Sequence, residues 1–294
     1  MKNRFVTYRE KILNRILKTD PDDVLNSPEP SPEEVPGNRS LDMEIKSSLN
    51  RIKAEAVSEN GKQVNYSKLA QSPSYQEHRK LVNLLNTFEY QALPTREGQL
   101  AFWINLYNAL VIDAVIQENV LSSVTESRLG IMRFFQKAAY RVGGDRFSLT
   151  DIEHGVLREN SGFPHFPGSH FSPGDTRQKS VVKPMDFRIH FALNCASNSC
   201  PPIGVYNPDS LDKQLDLATR NFINVDSILD LKKKQFSISK IFRWYWADFG
   251  GKDGILRTLG KYLDHPEIQG QLGQDLSAFR LKFHPYDWGL NKIS

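Results

Sequence analysis

Ala101-Phe102-Trp103-Ile104-Asn105-Leu106-Tyr107-Asn108-Ala109-Leu110 lies in the middle of the stretch Arg96 to Gln117, whose reading decides the fold. The spacing predicts a helix with apolar residues on several sides, which belongs inside a domain rather than on its surface. Asn105 and Asn108 are three apart and share one face of that helix. Asparagine forms helices poorly, and a buried amide must find partners. The pair therefore predicts a polar contact across the core, to a neighbouring loop on the architectural reading or to a substrate on the functional one. The most apolar part, Leu106 to Ile116, contains Tyr107, Asn108 and Asp113 and is too short to span a bilayer.

Working outward, Leu41 to Val57 and Ser74 to Phe88 carry apolar residues at helical steps. Before them, Asp20 to Ser40 holds Pro21, Pro28, Pro30, Pro32 and Pro36 with few apolar residues, a linker composition. Phe5 to Leu17 reads as a short amphipathic helix. The expected organisation is a tail and linker over residues 1–40 and a single globular domain over 41–294. On the other side, Gly130 to Lys137 is helical, and Tyr140 to Leu149 is a hairpin turning on Gly143-Gly144. Ser161 to Pro184, with His165 and His170, reads as a long surface loop of the kind that serves as a lid or substrate rim. Arg188 to Cys195 alternates like a half-buried strand. Pro208-Asp209-Ser210 opens a helix running to about Phe222, and Ile238 to Phe249 and Gly254 to Leu263 are helical. The expected fold class is α+β: a mostly helical single domain packed around a small β-sheet, with a Pro-rich N-terminal tail.

Composition narrows the function classes. With 39% hydrophobic and 24% charged residues, the 294-residue chain is an ordinary globular protein able to bury a core. Its 38 basic and 34 acidic residues leave a net charge of +4, and no basic run argues for nucleic acid. The basic start, Met1 to Phe5, has no apolar stretch behind it, so no signal peptide is expected, and no lipidation motif is visible. The expectation is a cytoplasmic protein whose partner is a substrate or another protein, with no nucleic acid, membrane or cofactor.

Chemistry concentrates in His190-Phe191-Ala192-Leu193-Asn194-Cys195-Ala196-Ser197-Asn198-Ser199-Cys200-Pro201-Pro202, which holds both cysteines of the chain. Two thiols in a chain this size do not make a disulfide scaffold. As a nucleophile, Cys195 or Cys200 needs a histidine in reach and backbone N–H groups for an oxyanion, which the turn Ala196 to Ser199 offers. As ligands, the two cysteines with His190 and His154 make a two-Cys, two-His set at the edge of the usual zinc spacing. As a redox pair they lack the Cys-x-x-Cys spacing. A fourth reading is a rigid turn with no chemistry. On a regular strand His190 and Cys195 face opposite ways, so a base from Asp151-Ile152-Glu153-His154-Gly155 is the better partner. There, Thr150 and Glu153 read as a capping box, whereas His154, beside Glu153 and Arg158, is not explained by capping. Ile241 to Gly250 reads as an aromatic helix packed in the core and ended by glycine, and Tyr286-Asp287-Trp288 docks the tail.

These motifs, in this order, together with Gly289-Leu290-Asn291, resemble the domain of unknown function family numbered 547 from about residue 40 onwards. Members occur alone in bacteria, behind glutaredoxin and DEP domains, and in plant proteins with a leucine-zipper segment. The resemblance implies a shared fold and a polar centre of Asn105, His154, His190 and Cys195, but no reaction. This chain has no glutaredoxin-type Cys-Pro-Tyr-Cys, so the fusions lend it no redox role. The candidate catalytic residues are Cys195, His154, His190, Glu153, Asn105 and Cys200. The leading expectation is a thiol-dependent hydrolase or acyltransferase with a Cys/His centre. The alternatives are a non-catalytic interaction or scaffold module and a metal-binding domain.

Overall fold

The computed structural model describes residues 12, 15–18, 20, 22–26, 40–126, 130–164, 168–265 and 278–293. Most of the expected amphipathic and Pro-rich tail, and His165 of the long loop, lie outside the described residues. The helices are α1 (Leu41–Ala56), α2 (Tyr66–Ala70), α3 (Pro73–Leu84), α4 (Arg96–Gln117), α5 (Gly130–Lys137), α6 (Leu211–Asp226), α7 (Lys240–Trp244) and α8 (Gly251–Tyr262). Among the described residues two small sheets accompany them, so the α+β reading holds with two sheets in place of one. β1 (Ala139–Val142) and β2 (Asp145–Ser148) form an antiparallel hairpin. Gly143 and Gly144 take φ of 60° and 80°, as a two-residue hairpin turn requires. In the second sheet β4 (Gln235–Ile238) lies between β3 (Ile228–Asp230), antiparallel to it, and β5 (Arg280–Phe283), parallel to it.

α4 is the axle of the fold. Thr95 caps it by accepting the Gly98 N–H at 3.0 Å, and every residue from Leu100 to Val115 is buried. By length and composition it is apolar enough to cross a membrane, yet 89% of its apolar window is buried inside the protein. Polar contacts anchor other elements to it. Asp113, wholly buried, accepts from Tyr75 Oη at 2.7 Å, Tyr140 Oη at 3.0 Å and Arg79 Nη1 at 2.7 Å, which ties α3 and β1 to the helix. Asn105 bonds the Tyr206 backbone through both amide atoms, at 2.8 Å each. Asn108 does the same for the carbonyl of Ala192 and the N–H of Asn194, at 2.9 Å each. Both asparagines are loop pins, and the architectural reading is the one observed.

Two segments differ from expectation. Arg188 to Cys195 is not a strand: Phe187–Phe191 is a 3₁₀ turn capped by Asp186, and the chain beyond it is irregular. Local 3₁₀ bonds and the Asn108 amide take up the backbone groups of this segment, so no ladder partner is needed. Ile238 to Phe249 is not one helix either. Ile238 ends β4, and α7 is one short turn closed by Tyr245. The chain then reverses through Gly250 and Gly251, with φ of 77° and 72°. The core falls into a larger cluster around α4, a second around Phe242, Leu259 and the three-stranded sheet, and a smaller third where α1 and α2 meet Ala109 and Ile112 of α4. Cys195 and Trp288 pack against the first two, and the site lies at that junction.

Candidate active site

A π-helical turn, Asp151–Leu157, supplies the first wall. Its entry is held by Ser148 and Asp151 in a reciprocal box: the Ser148 N–H and hydroxyl donate to Asp151 Oδ2 at 2.8 Å, and the Asp151 N–H donates to Ser148 Oγ at 3.1 Å. The expected Thr150–Glu153 box is absent, since Thr150 is itself helical and makes no side-chain cap. Glu153 is thereby released for other contacts. Its Oε2 accepts from Tyr107 Oη of α4 at 3.0 Å, and its Oε1 accepts from Tyr245 Oη. Burial first, and the nearby Glu153 charge second, push both phenols well above their ordinary pKa, so both stay protonated donors.

Beside them lies a buried network. Asp248, just past α7, accepts both arms of the Arg158 guanidinium, at 2.6 and 2.8 Å, and the Nε2 of His190 at 2.9 Å. Burial alone would raise Asp248, but the bonds from His190 and Arg158 outweigh it and hold the carboxyl at about 2. Arg158 Nη1 also reaches His154 Nδ1 at 2.9 Å and the Gly162 carbonyl. The His190 ring stacks on Tyr245 with centroids 3.8 Å apart, and Arg158 sits 4.9 Å from the same ring.

The partners fix both imidazoles. A carboxylate only accepts, so Nε2 of His190 carries the proton, while burial outweighs the pull of Asp248 and lowers its pKa. Its Nδ1 is then a bare lone pair with no hydrogen-bond partner among the described residues. A guanidinium only donates, so Nδ1 of His154 accepts and the ring's proton sits on Nε2. Burial first, and the Arg158 charge second, hold His154 well below its ordinary pKa. The two neutral rings therefore have opposite tautomers, one presenting an acceptor and the other a donor.

Both rings line a cavity of about 330 Å³ with Glu153, Cys195 and Cys200. Its outer wall is aromatic: Trp244, Tyr286 and Trp288 pack with centroids 4.5 to 5.3 Å apart. That size and lining suit a small, largely apolar molecule held by a few polar groups.

The cysteines are the main correction. Cys195 and Cys200 are joined in a disulfide, so neither is a free thiol and neither can be a thiolate ligand. The turn closes with the Cys195 N–H 2.8 Å from Cys200 Sγ, and Ala196 within it takes the left-handed φ of 61°. Tyr286 Oη accepts from Ser197 Oγ at 3.1 Å and lies 3.3 Å from each sulfur. Neither sulfur makes a hydrogen bond to His154 or His190. The two-Cys, two-His metal set is therefore not assembled, and among the described residues no group of three His, Cys, Asp or Glu side chains is placed to hold a metal ion. Asn105 also leaves the candidate set, its amide being spent on Tyr206.

Five of the six expected residues thus meet at one cavity: Glu153, His154, His190, Cys195 and Cys200. Sequence reasoning missed Tyr107, Tyr245, Asp248 and Tyr286. Tyr107 stands one residue from Asn108 in the central motif, and the other three are in stretches that read as packing because aromatics dominate them.

Comparison with known proteins bears on the same region. Residues 90–223 match the family described as "Protein of unknown function, DUF547". Residues 90–223 are a DUF547 domain. The matched stretch contains Tyr107, Glu153, His154, Arg158, His190 and both cysteines, while Asp248 and the aromatic wall lie beyond it. No curated protein and no solved structure matches the chain.

Proposed function

We propose that the cavity is the active site of a hydrolase or acyltransferase for a small acyl compound. The observation that carries this reading is the pair of neutral imidazoles with opposite fixed tautomers on one cavity wall. His190 Nδ1 takes a proton from water as the water oxygen adds to the acyl carbon. Asp248 stabilises the imidazolium so formed, and His190 returns the proton to the leaving group as its bond breaks. The Nε2–H of His154 donates to the developing oxyanion, a role in which a neutral ring held beside Arg158 gives up no proton. An open cavity with unspent donors and acceptors favours this reading over a scaffold module, which has no use for them.

A thiol-dependent version attaches to the reduced chain alone. It is favoured by the place of Cys195, half-buried on the same wall. In a cytosol kept reducing by glutathione the pair would open, so the cytoplasmic and thiol-dependent readings stand together. The test is hydrolysis of nitrophenyl acetate and butyrate by the wild type, His190→Ala and Cys195→Ser, with and without reductant. The expected result is activity in the oxidised protein that His190→Ala lowers by about 10² to 10⁴. Activity that appears only on reduction and is lost in Cys195→Ser would transfer the chemistry to the thiol. No hydrolysis in either state would remove the proposal.

A further inference from the structure

We infer that the cavity selects a small organic ammonium, so that the acyl compound taken up carries a positive charge; as a statement about substrate this rests on the proposed function, although the binding itself does not. Glu153 is the one Asp, Glu, Lys or Arg among the described residues that line the cavity. Its carboxylate is held in place by the Tyr107 and Tyr245 hydroxyls and forms no ion pair among the described residues; Arg158, the guanidinium that feels its charge, is paired with Asp248. The chain as a whole carries a net +4, yet the charges around this cavity run the other way. Arg158 is committed to Asp248, and Arg177 is committed to Asp151 and Asp175. Both guanidinium groups are thus matched by their own carboxylates, which leaves Glu153 as the charge on the cavity wall, while burial holds His154 and His190 below their ordinary pKa.

The aromatic wall points to the same ligand. Trp244, Tyr286 and Trp288 form a cluster with centroids 4.8, 5.3 and 4.5 Å apart, on a cavity that also holds a carboxylate. Aromatic faces attract a poorly hydrated cation through the ring quadrupole, most strongly for tryptophan and most strongly out of water. An anion would meet Glu153 and those same faces with the sign reversed. A neutral ligand of equal shape gains the apolar contact but neither electrostatic part.

The experiment compares three probes of one shape by calorimetry on the full chain: choline, its uncharged carbon isostere dimethylbutanol, and the anion dimethylbutanoate. The expected result is choline bound about tenfold or more tightly than dimethylbutanol, with dimethylbutanoate weakest. Glu153→Gln and Trp288→Leu should each shrink the choline preference while dimethylbutanol binding changes less. Should Glu153→Gln fail to fold, the wild-type series and Trp288→Leu still decide. Equal binding of choline and dimethylbutanol, preference for the anion, absence of binding by all three, or a choline preference untouched by both variants would overturn the inference. Choline selectivity without ester hydrolysis would remove the catalytic reading alone. Ester hydrolysis without choline selectivity would remove this inference alone.

Discussion

Two Asp–His–Arg groups flank the π-helical turn, and they share chemistry while differing in surroundings. In one, Asp151 receives His170 Nε2 at 2.7 Å and Arg177 at 3.1 Å. In the other, Asp248 receives His190 Nε2 at 2.9 Å and Arg158 at 2.6 Å. None of the first trio lines the cavity: His170 packs on Phe171 with centroids 5.1 Å apart, Arg177 lies 4.7 Å over the same ring, and the group clamps the loop after Asn160 onto the turn. The second opens on the cavity through His190. The same carboxylate–imidazole–guanidinium set is a clamp where its imidazole stands away from the cavity and a candidate site where its imidazole lines it. A charged buried trio is thus no evidence of catalysis until the space beside it is known.

The largest effects should come from breaking each trio at its carboxylate. Asp248→Asn leaves Arg158 buried without its counter-charge, and Asp151→Asn takes from Arg177 one of its two carboxylates, Asp175 remaining, while removing the Ser148 cap and the partner of His170. Each should lose about 3 to 5 kcal/mol of stability, read by urea unfolding. Only Asp248→Asn should also change the pH dependence of hydrolysis, because only its histidine faces the cavity. If Asp151→Asn shifts that profile as much, the distinction between clamp and site fails.

The fold was largely legible because it depends on patterns that repeat. The all-round apolar spacing of α4, the Gly143-Gly144 turn and the stepwise apolar positions of α1 and α3 each name their element locally. The candidate site was legible in part. His154 and Glu153 stood out as polar residues that capping did not fully explain, and the cysteines stood out by their clustering. What stayed hidden is long-range. Asp248 meets Arg158 across 90 residues, and Tyr245 meets Glu153 across 92, with nothing in the local pattern to announce either. The strand expected at Arg188 to Cys195 failed because alternation reports which residues can face a core. It does not report whether a neighbouring strand exists to take up the backbone. Spacing weighed against redox motifs did not announce the disulfide, because the path of a five-residue turn, left-handed at Ala196, is not written in the spacing of its two cysteines.

Smaller effects should separate the pins from the cavity wall. Asn108→Ala strands the Ala192 carbonyl and the Asn194 N–H in the core and should cost about 2 to 4 kcal/mol. Because it supports the segment bearing His190 and Cys195, it should lower hydrolysis in proportion to that loosening. Asn105→Ala, which frees only the Tyr206 backbone, should cost similar stability with less effect on rate. Reducing the Cys195–Cys200 bond releases a loop of five-residue separation and should cost about 2 kcal/mol by loop-closure entropy. Hydrogen exchange should place that loss in the turn at 195–202 and leave the Asp151 clamp protected.

Acid separates the same groups by the sign of their shifts. His78, His154 and His190 are buried neutral, and burial lowers each below its ordinary value of 6.5, His78 to about 4. Below about pH 6.5 the unfolded chain binds protons there that the folded chain refuses, so stability present above that pH is lost as pH falls toward the folded values. Each histidine contributes about 1.4 kcal/mol per pH unit over its own window, and His78 about 3 kcal/mol in all. The clamp carboxylate Asp151 and the site carboxylate Asp248 are both lowered from 3.8, so their contribution is kept down to that value and lost only below it. His284, held up by the Pro285 carbonyl and Asp226 against the burial that lowers it, works the other way from the three neutral rings. Urea midpoints should therefore fall in two arms on acidification: an upper arm from the buried histidines and a lower one shared by both carboxylates. His190→Gln should flatten the upper arm and leave the lower one in place, since Asp248 keeps Arg158. An unchanged upper arm would mean that His190 binds its proton as readily in the folded chain as in the unfolded one, so that burial does not hold the ring neutral as acid is added.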